Sequence, residues 1–160
     1  MAKQSAGLLM FRRLQGRPLE VLLAHPGGPF WARKDLGAWT IPKSEYTDED
    51  PLAAAQREFQ EETGFTPAGP FIELATVKQK SGKVVSAWAF EADWDPAGLI
   101  SNTFEMEWPK GSGRMEAFPE VERAAWFTME EARQRMLPAQ VPLLDRLLER
   151  LVSGETSPAV

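Results

Sequence analysis

The chain has 160 residues, 43% hydrophobic and 26% charged, a balance that fits one globular domain with a sizeable core. Its net charge of −5 argues against a broad electrostatic footprint for duplex nucleic acid, and the absence of cysteine excludes disulfides, a thiol nucleophile and cysteine-ligated zinc. The apolar run Ala6 to Phe11 is too short for a signal peptide or a membrane span and ends in Arg12-Arg13, so no membrane association and a cytoplasmic location are expected.

In chain order, Ser5 to Phe11 and Leu19 to His25 read as two strands around a Gly16-Arg17-Pro18 turn. Pro26 to Gly37 is a loop rich in glycine and proline that carries Phe30 and Trp31, and Trp39-Thr40-Ile41 reads as a short strand. Asp50-Pro51 is an N-cap followed by proline at the first helical position, and Gly64 is a C-terminal cap, so a helix is predicted over 51–63. Phe71 to Lys78 and Val84 to Ala92 form a predicted hairpin around Ser81-Gly82. Trp94 to Gly113 reads as irregular, Ala124 to Phe127 as a strand, and Met129 to Met136 and Val141 to Leu151 as helices split by Pro138. Residues 1–152 are expected to form a single domain and 153–160 a disordered tail. Strands, a helix, strands and then helices predict an α/β fold with a mixed sheet covered by helices.

The most informative stretch is Arg57-Glu58-Phe59-Gln60-Glu61-Glu62-Thr63-Gly64-Phe65. Glu58 faces Glu61 and Glu62, three and four positions on, where like charges repel by roughly 0.2–0.5 kcal/mol per pair. The three carboxylates also crowd the negative end of the helix dipole. Leu52, Ala55 and Phe59 share the side of the wheel opposite Glu61, so one face packs and the other carries charge. A hard divalent cation removes the conflict, since Mg²⁺ is held by carboxylate oxygens and substrate phosphates. Arg57, four residues before Glu61, is placed to orient it.

These residues resemble the box of the Nudix hydrolases: glycine, five residues, glutamate, seven residues, then Arg-Glu-U-x-Glu-Glu-x-Gly-U with U bulky and apolar. Glu49, Arg57, Glu58, Glu61, Glu62 and Gly64 match, and the resemblance extends over nearly the whole chain. One departure stands out. Lys43 occupies the place of the opening glycine and Ser44 is its structural equivalent, so the loop from Ser44 to Glu49 is one residue short and lacks glycine. The resemblance implies an αβα sandwich, a Mg²⁺ cofactor that Mn²⁺ can replace, and cleavage of a pyrophosphate bond in a nucleoside-diphosphate-linked compound. It implies Glu58, Glu61 and Glu62 as metal carboxylates, with a loop carbonyl from Ser44 or Lys43. Glu62 is the strongest single site residue, Glu61 is a candidate base, and Glu49, Arg57 and Gly64 are structural within the motif.

The resemblance also implies a further carboxylate from a later loop, for which the candidates are Glu105, Glu107, Glu116, Glu120 and Glu122. Glu120, six residues before Trp126, is preferred. Trp39-x-x-Pro42-Lys43 resembles the segment that precedes the box in dinucleoside tetraphosphate hydrolases, which assigns Lys43 to substrate phosphate and makes diadenosine tetraphosphate the first specific substrate. Lys78, beside Lys80 and Lys83, is expected to meet a further phosphate, and Trp31, with Phe30 or Trp39, to stack a base. His25 is read either as a substrate contact or as a hydrogen-bonded structural histidine. The partner is a small-molecule nucleotide, with diphosphoinositol phosphates and damaged nucleotides as rivals. A homodimer is one option for the assembly. The alternative function is a nucleotide-binding or regulatory module on the same fold that no longer hydrolyses anything.

Overall fold

The structure is a computed structural model and describes residues 4–79 and 81–156. In chain order its elements are β1 (Gln4–Arg12), β2 (Glu20–Pro26), β3 (Lys43–Glu45), α1 (Pro51–Thr63), β4 (Ile72–Lys78), β5 (Val84–Glu91), β6 (Thr103–Glu107), β7 (Met115–Pro119), β8 (Val121–Thr128), α2 (Met129–Arg135) and α3 (Pro142–Thr156). Along β1, side chains alternate between two buried faces: Ala6, Leu8 and Met10 on one, Leu9 and Phe11 on the other. A strand that is apolar on both faces belongs at the centre of a covered sheet. β1 is accordingly central in the order β4-β5-β1-β2-β8, parallel to β5 and antiparallel to β2.

Two cores follow from that alternation. α1 lays Ala54, Ala55 and Phe59 on Ala6, Leu8, Met10, Leu22 and Phe90. On the opposite face, α2 with its C-cap Met136, and α3, lay Ala132, Met136, Leu143, Leu144 and Leu147 on Leu9, Phe11, Val21, Leu23 and Val85. The result is a mixed sheet between helices, as the sequence predicts. The caps of α1 also match: Asp50 Oδ2 accepts from Ala53 N at 3.1 Å, and Gly64, at φ 85°, donates its N–H to Gln60 O. No described helix is long and apolar enough to cross a membrane.

The feature that positions the site is a split in the sheet. β2 pairs with β1 only at Phe11 and Arg12, while β3 pairs with the other end of the same edge at Ser5, Ala6 and Gly7. Between them Thr40 exchanges two backbone hydrogen bonds with Ala24 on β2, and Leu8 N donates to Pro42 O on the β1 side. Residues 40–45 thus wedge β1 and β2 apart. The wedge depends on Gly7, where a Cβ would lie 2.7 Å from both Lys43 Cβ and Pro42 O.

Three sequence expectations change. Trp39 to Ile41 makes isolated bridges, and the short strand is β3, inside the segment read as a loop; Lys-Ser-Glu has little strand propensity, but Gly7 lets it approach. The segment 94–113, read as irregular, holds β6, whose partner is β7. Pro109, Gly111 and Gly113 form the tip of that hairpin, where the Glu107 carboxylate accepts from Gly111 N and Gly113 N at 3.0 and 2.9 Å. α3 continues to Thr156, so the first four residues of the expected tail are helical, and residues 157–160 lie outside the described part of the chain.

Gly7→Ala is expected to lower stability by about 1–3 kcal/mol in urea unfolding, because the added methyl meets backbone that cannot move without breaking β3 pairing. A change under about 0.5 kcal/mol would mean the wedge is loosely held.

Candidate active site

Glu62 stands three residues after Phe59 and seven after Ala55, on the stripe that packs against the sheet. The helix therefore carries its carboxylate inward, to 7% exposure, whereas the Glu61 side chain, on the outer face, is 44% exposed. Glu58, one turn earlier, borders the same buried edge with a side chain 12% exposed.

A relay of backbone hydrogen bonds brings Glu120 to this edge. Asn102 N donates to Glu61 O at 2.9 Å, Glu120 N to Asn102 O at 2.9 Å, and Gly27 N to Glu120 O at 3.2 Å. The first bond, with Ile100 N to Thr63 O, also satisfies carbonyls that the last turn of α1 would leave unpaired. Gly27 is required for the close approach, since a Cβ there would fall 1.9 Å from Pro119 O. The base of the β6–β7 hairpin is in this way tied to the end of α1 and to the end of β2.

Lys43 reaches the same place from the wedge. Ala24, Pro26, Thr40, Ile41, Lys43, Glu62, Glu120 and Val121 line a cleft of about 160 Å³. Burial, then the charge of Glu58 and of Glu120, pushes the Glu62 carboxyl up to about 8, and a hydrogen bond with Glu58 acts in the same direction. Burial and Glu58 also raise Glu120. The Lys43 ammonium is lowered by burial and by Lys83, with Glu62 and Glu45 acting against the shift.

Arg57 braces the helix entrance. Its Nη2 and Nε donate to the two oxygens of Glu49 at 2.7 and 3.1 Å, and its Nη1 to Glu58 at 2.7 Å. The contact to Glu61, at 3.4 Å, is the longest of the set. Its hydrogen bond to Glu49 holds that exposed carboxyl below its ordinary range. In the loop between them, Asp48 adopts the left-handed conformation, at φ 55°.

The remaining sequence candidates are dispersed. Ser44 pairs with Ala6 in β3. Lys78 is exposed at the end of β4 and does not line the cleft, while Lys83, across the turn, interacts with Lys43 and pairs with Glu45 at 3.2 Å. Trp31 is half-buried against the core beside an exposed Phe30. Trp39 is buried, with Nε1 on Asp35, and cannot stack a base. His25 is fully buried, with Nε2 on Lys34 O and Nδ1 at 2.9 Å from Glu122 in a geometry that makes no hydrogen bond, so it is structural. Glu105 and Glu116 are exposed on the hairpin. Sequence reasoning passed over Gly27 and Asn102; the glycine pair after Pro26 was the available signal for the first, and backbone hydrogen bonding leaves none for the second.

Among the described residues no three acidic or histidine side chains already surround a cation-sized point. The donor chemistry still fits a hard divalent ion: Glu62 is a buried carboxylate, Lys43 offsets it only in part, and Glu58 and Glu120 add to the negative charge there.

A family model of the NUDIX domain matches residues 1–149, and the chain belongs to the Nudix family. No curated protein gives a match. Among solved structures, the chain is similar to a Caenorhabditis elegans Ap4A hydrolase in a binary complex, at 23% identity and TM-score 0.65 over 94% of this chain and 98% of that one. It is also similar to the NUDIX domain of Shewanella oneidensis NrtR complexed with ADP ribose, at 17% identity and TM-score 0.63 over 94% and 89%. A third is the C-terminal domain of mouse MUTYH in complex with human PCNA, at 17% identity and TM-score 0.61 over 95% and 91%. These likenesses establish the fold.

Between its ordinary value of 4.5 and about 8, native Glu62 holds a proton that the unfolded chain has released. Metal-free stability is therefore expected to fall as pH rises through that window. Glu62→Gln removes the titration: at pH 8 without metal it is expected to be more stable than wild type, by on the order of a few kcal/mol. Urea unfolding between pH 5 and 8.5 checks this, and parallel profiles for the two proteins would count against the buried charge.

Proposed function

We propose that this chain is a divalent-metal-dependent Nudix hydrolase that cleaves a pyrophosphate bond in a nucleoside-diphosphate-linked compound, with diadenosine tetraphosphate as the first specific substrate. The observation that carries the reading is the meeting of a buried Glu62, Glu120 and Lys43 in one cleft. A phosphoryl substrate needs charge neutralisation, an oriented water and a held leaving phosphate. Glu58, Glu61 and Glu62, with a loop carbonyl from Ser44 or Lys43, would hold Mg²⁺ or Mn²⁺, which when bound supplies charge neutralisation and water activation. Glu120 or Glu61 accepts the proton of the attacking water, and the charge of Glu120 acts on Glu62 within the cleft. Lys43 takes a phosphate oxygen as a point charge. Lys78, which does not line the cleft, would meet a more distant phosphate, and Trp31, packed against the core, would flank the base beside Phe30. Arg57 and Glu49 stiffen the loop and do not touch the reacting atoms.

The dinucleotide is favoured by Trp39-x-x-Pro42-Lys43 and by the Ap4A hydrolase among the similar structures. Two observations support a second reading, a binding module without turnover: Glu58 is engaged by Arg57, and the shortened loop takes a left-handed residue at Asp48. The NUDIX domain solved with ADP ribose makes that compound a useful probe.

A panel of diadenosine tetraphosphate, ADP-ribose, a diphosphoinositol phosphate and an oxidised nucleotide, assayed with Mg²⁺ for product release, tests both readings. Turnover is expected with the first. Glu62→Gln is expected to lower it by roughly 10²–10³-fold, and Glu49→Gln by clearly less. Lys43→Ala is expected to lower kcat/KM by about ten- to a hundredfold, the loss of one charge-assisted hydrogen bond. Binding across the panel without product would establish the second reading.

A further inference from the structure

Gln140 ends the short 3-10 turn Pro138–Gln140 between α2 and α3, and it is fully buried. Its Oε1 accepts the backbone N–H of Ile41 at 3.0 Å and stands 3.1 Å from Thr40 Oγ1, although these residues are about a hundred positions away. A backbone N–H can only donate, so this contact fixes the amide: oxygen toward Ile41, nitrogen away. The nitrogen donates to Gln79 Oε1 at 3.2 Å. Gln79 opens the turn between β4 and β5, and its own N–H is bonded to Lys83 O at 2.8 Å.

One buried side chain therefore joins two segments that are otherwise separate in sequence. The first, 40–43, forms a wall of the cleft and delivers Lys43. The second, the turn from Gln79 to Lys83, delivers the ammonium paired with Glu45 and electrostatically coupled to Lys43. An apolar side chain would fill the same space without the desolvation cost of a buried amide, so the position gains from hydrogen bonding something that packing does not give.

We propose that Gln140 is a positioning residue: it fixes Lys43 relative to the 79–83 turn, so that the lysine-bearing end of the cleft is held as one unit. Gln140 touches no reacting atom and acts through Thr40, Ile41 and Gln79. The kinetic consequence rests on the reading of Lys43 as a phosphate-binding residue; the structural link does not.

Gln140→Met, of similar volume, removes the bonds to Thr40, Ile41 and Gln79. In hydrogen exchange the amides of Ile41, Gln79 and Gly82 are expected to speed up together by about tenfold, while those of α1 stay unchanged. In kinetics with diadenosine tetraphosphate and Mg²⁺, KM is expected to rise about tenfold with kcat changed less than about twofold. That rise should vanish in a Lys43→Ala background, since both changes act through one group. Faster exchange confined to Ile41, or a KM effect that persists undiminished without Lys43, would overturn the proposal. If no substrate is turned over, the reading of the site as a hydrolase has failed, and the exchange result still decides the link. If Gln140→Met does not fold, Gln79→Ala, at a half-buried position, cuts the turn side alone; it should speed exchange at Ile41, and an unchanged Ile41 amide would overturn the link.

Discussion

The carboxylate of Glu62 is carried into the interior by the same helical stripe that packs Ala55 and Phe59 on the sheet. That placement sets a conflict between packing and electrostatics. The helix cannot bury Phe59 in its present position without also desolvating Glu62, and burying an uncompensated charge costs far more than a surface like-charge pair. Glu58 and Glu120 sharpen the conflict, and Lys43 relieves only part of it. A ligand that brings positive charge resolves it, and the Nudix family generally uses divalent cations.

The rest of the architecture can be read as the means of holding groups around that point. Gly7 admits the wedge that delivers Lys43. Gly27 admits the backbone of Pro119 and Glu120, and Asn102 links that segment to the last turn of α1. Each of these contacts runs through main chain, which fixes position without spending a side chain. Two glycines and one relay of amides therefore matter as much to the site as its charged residues.

The helix, its caps and its three glutamates were legible in the sequence, because each depends on residues within about four positions of one another. The inward turn of Glu62 was missed: the acidic face was read as a whole, apart from the packed one, although Glu62 lies on the Ala55–Phe59 stripe and is buried. Lys43 could be named from its neighbours, but its delivery into the cleft depends on an absent side chain at Gly7, far upstream. The β6–β7 hairpin was missed because Pro109, Gly111 and Gly113 read as breakers of structure rather than as its tip. The choice among the turn lysines depends on a strand register that composition does not reveal, and the structure sets Lys83, not Lys78, beside Lys43. Trp39 illustrates the reverse error: an aromatic near a loop of expected function is committed to the core between His25 and Phe127.

Burial and its acidic neighbours make Glu62 hold a proton near neutral pH until a cation replaces it. Calorimetric titration of the metal-free protein with Mn²⁺ at pH 7, in two buffers of different ionisation enthalpy, counts the protons released on binding. Release approaching one proton per ion is expected in the wild type, falling as pH rises past about 8, and absent in Glu62→Gln. Binding with no proton release in the wild type, or with the same release in the variant, would contradict it.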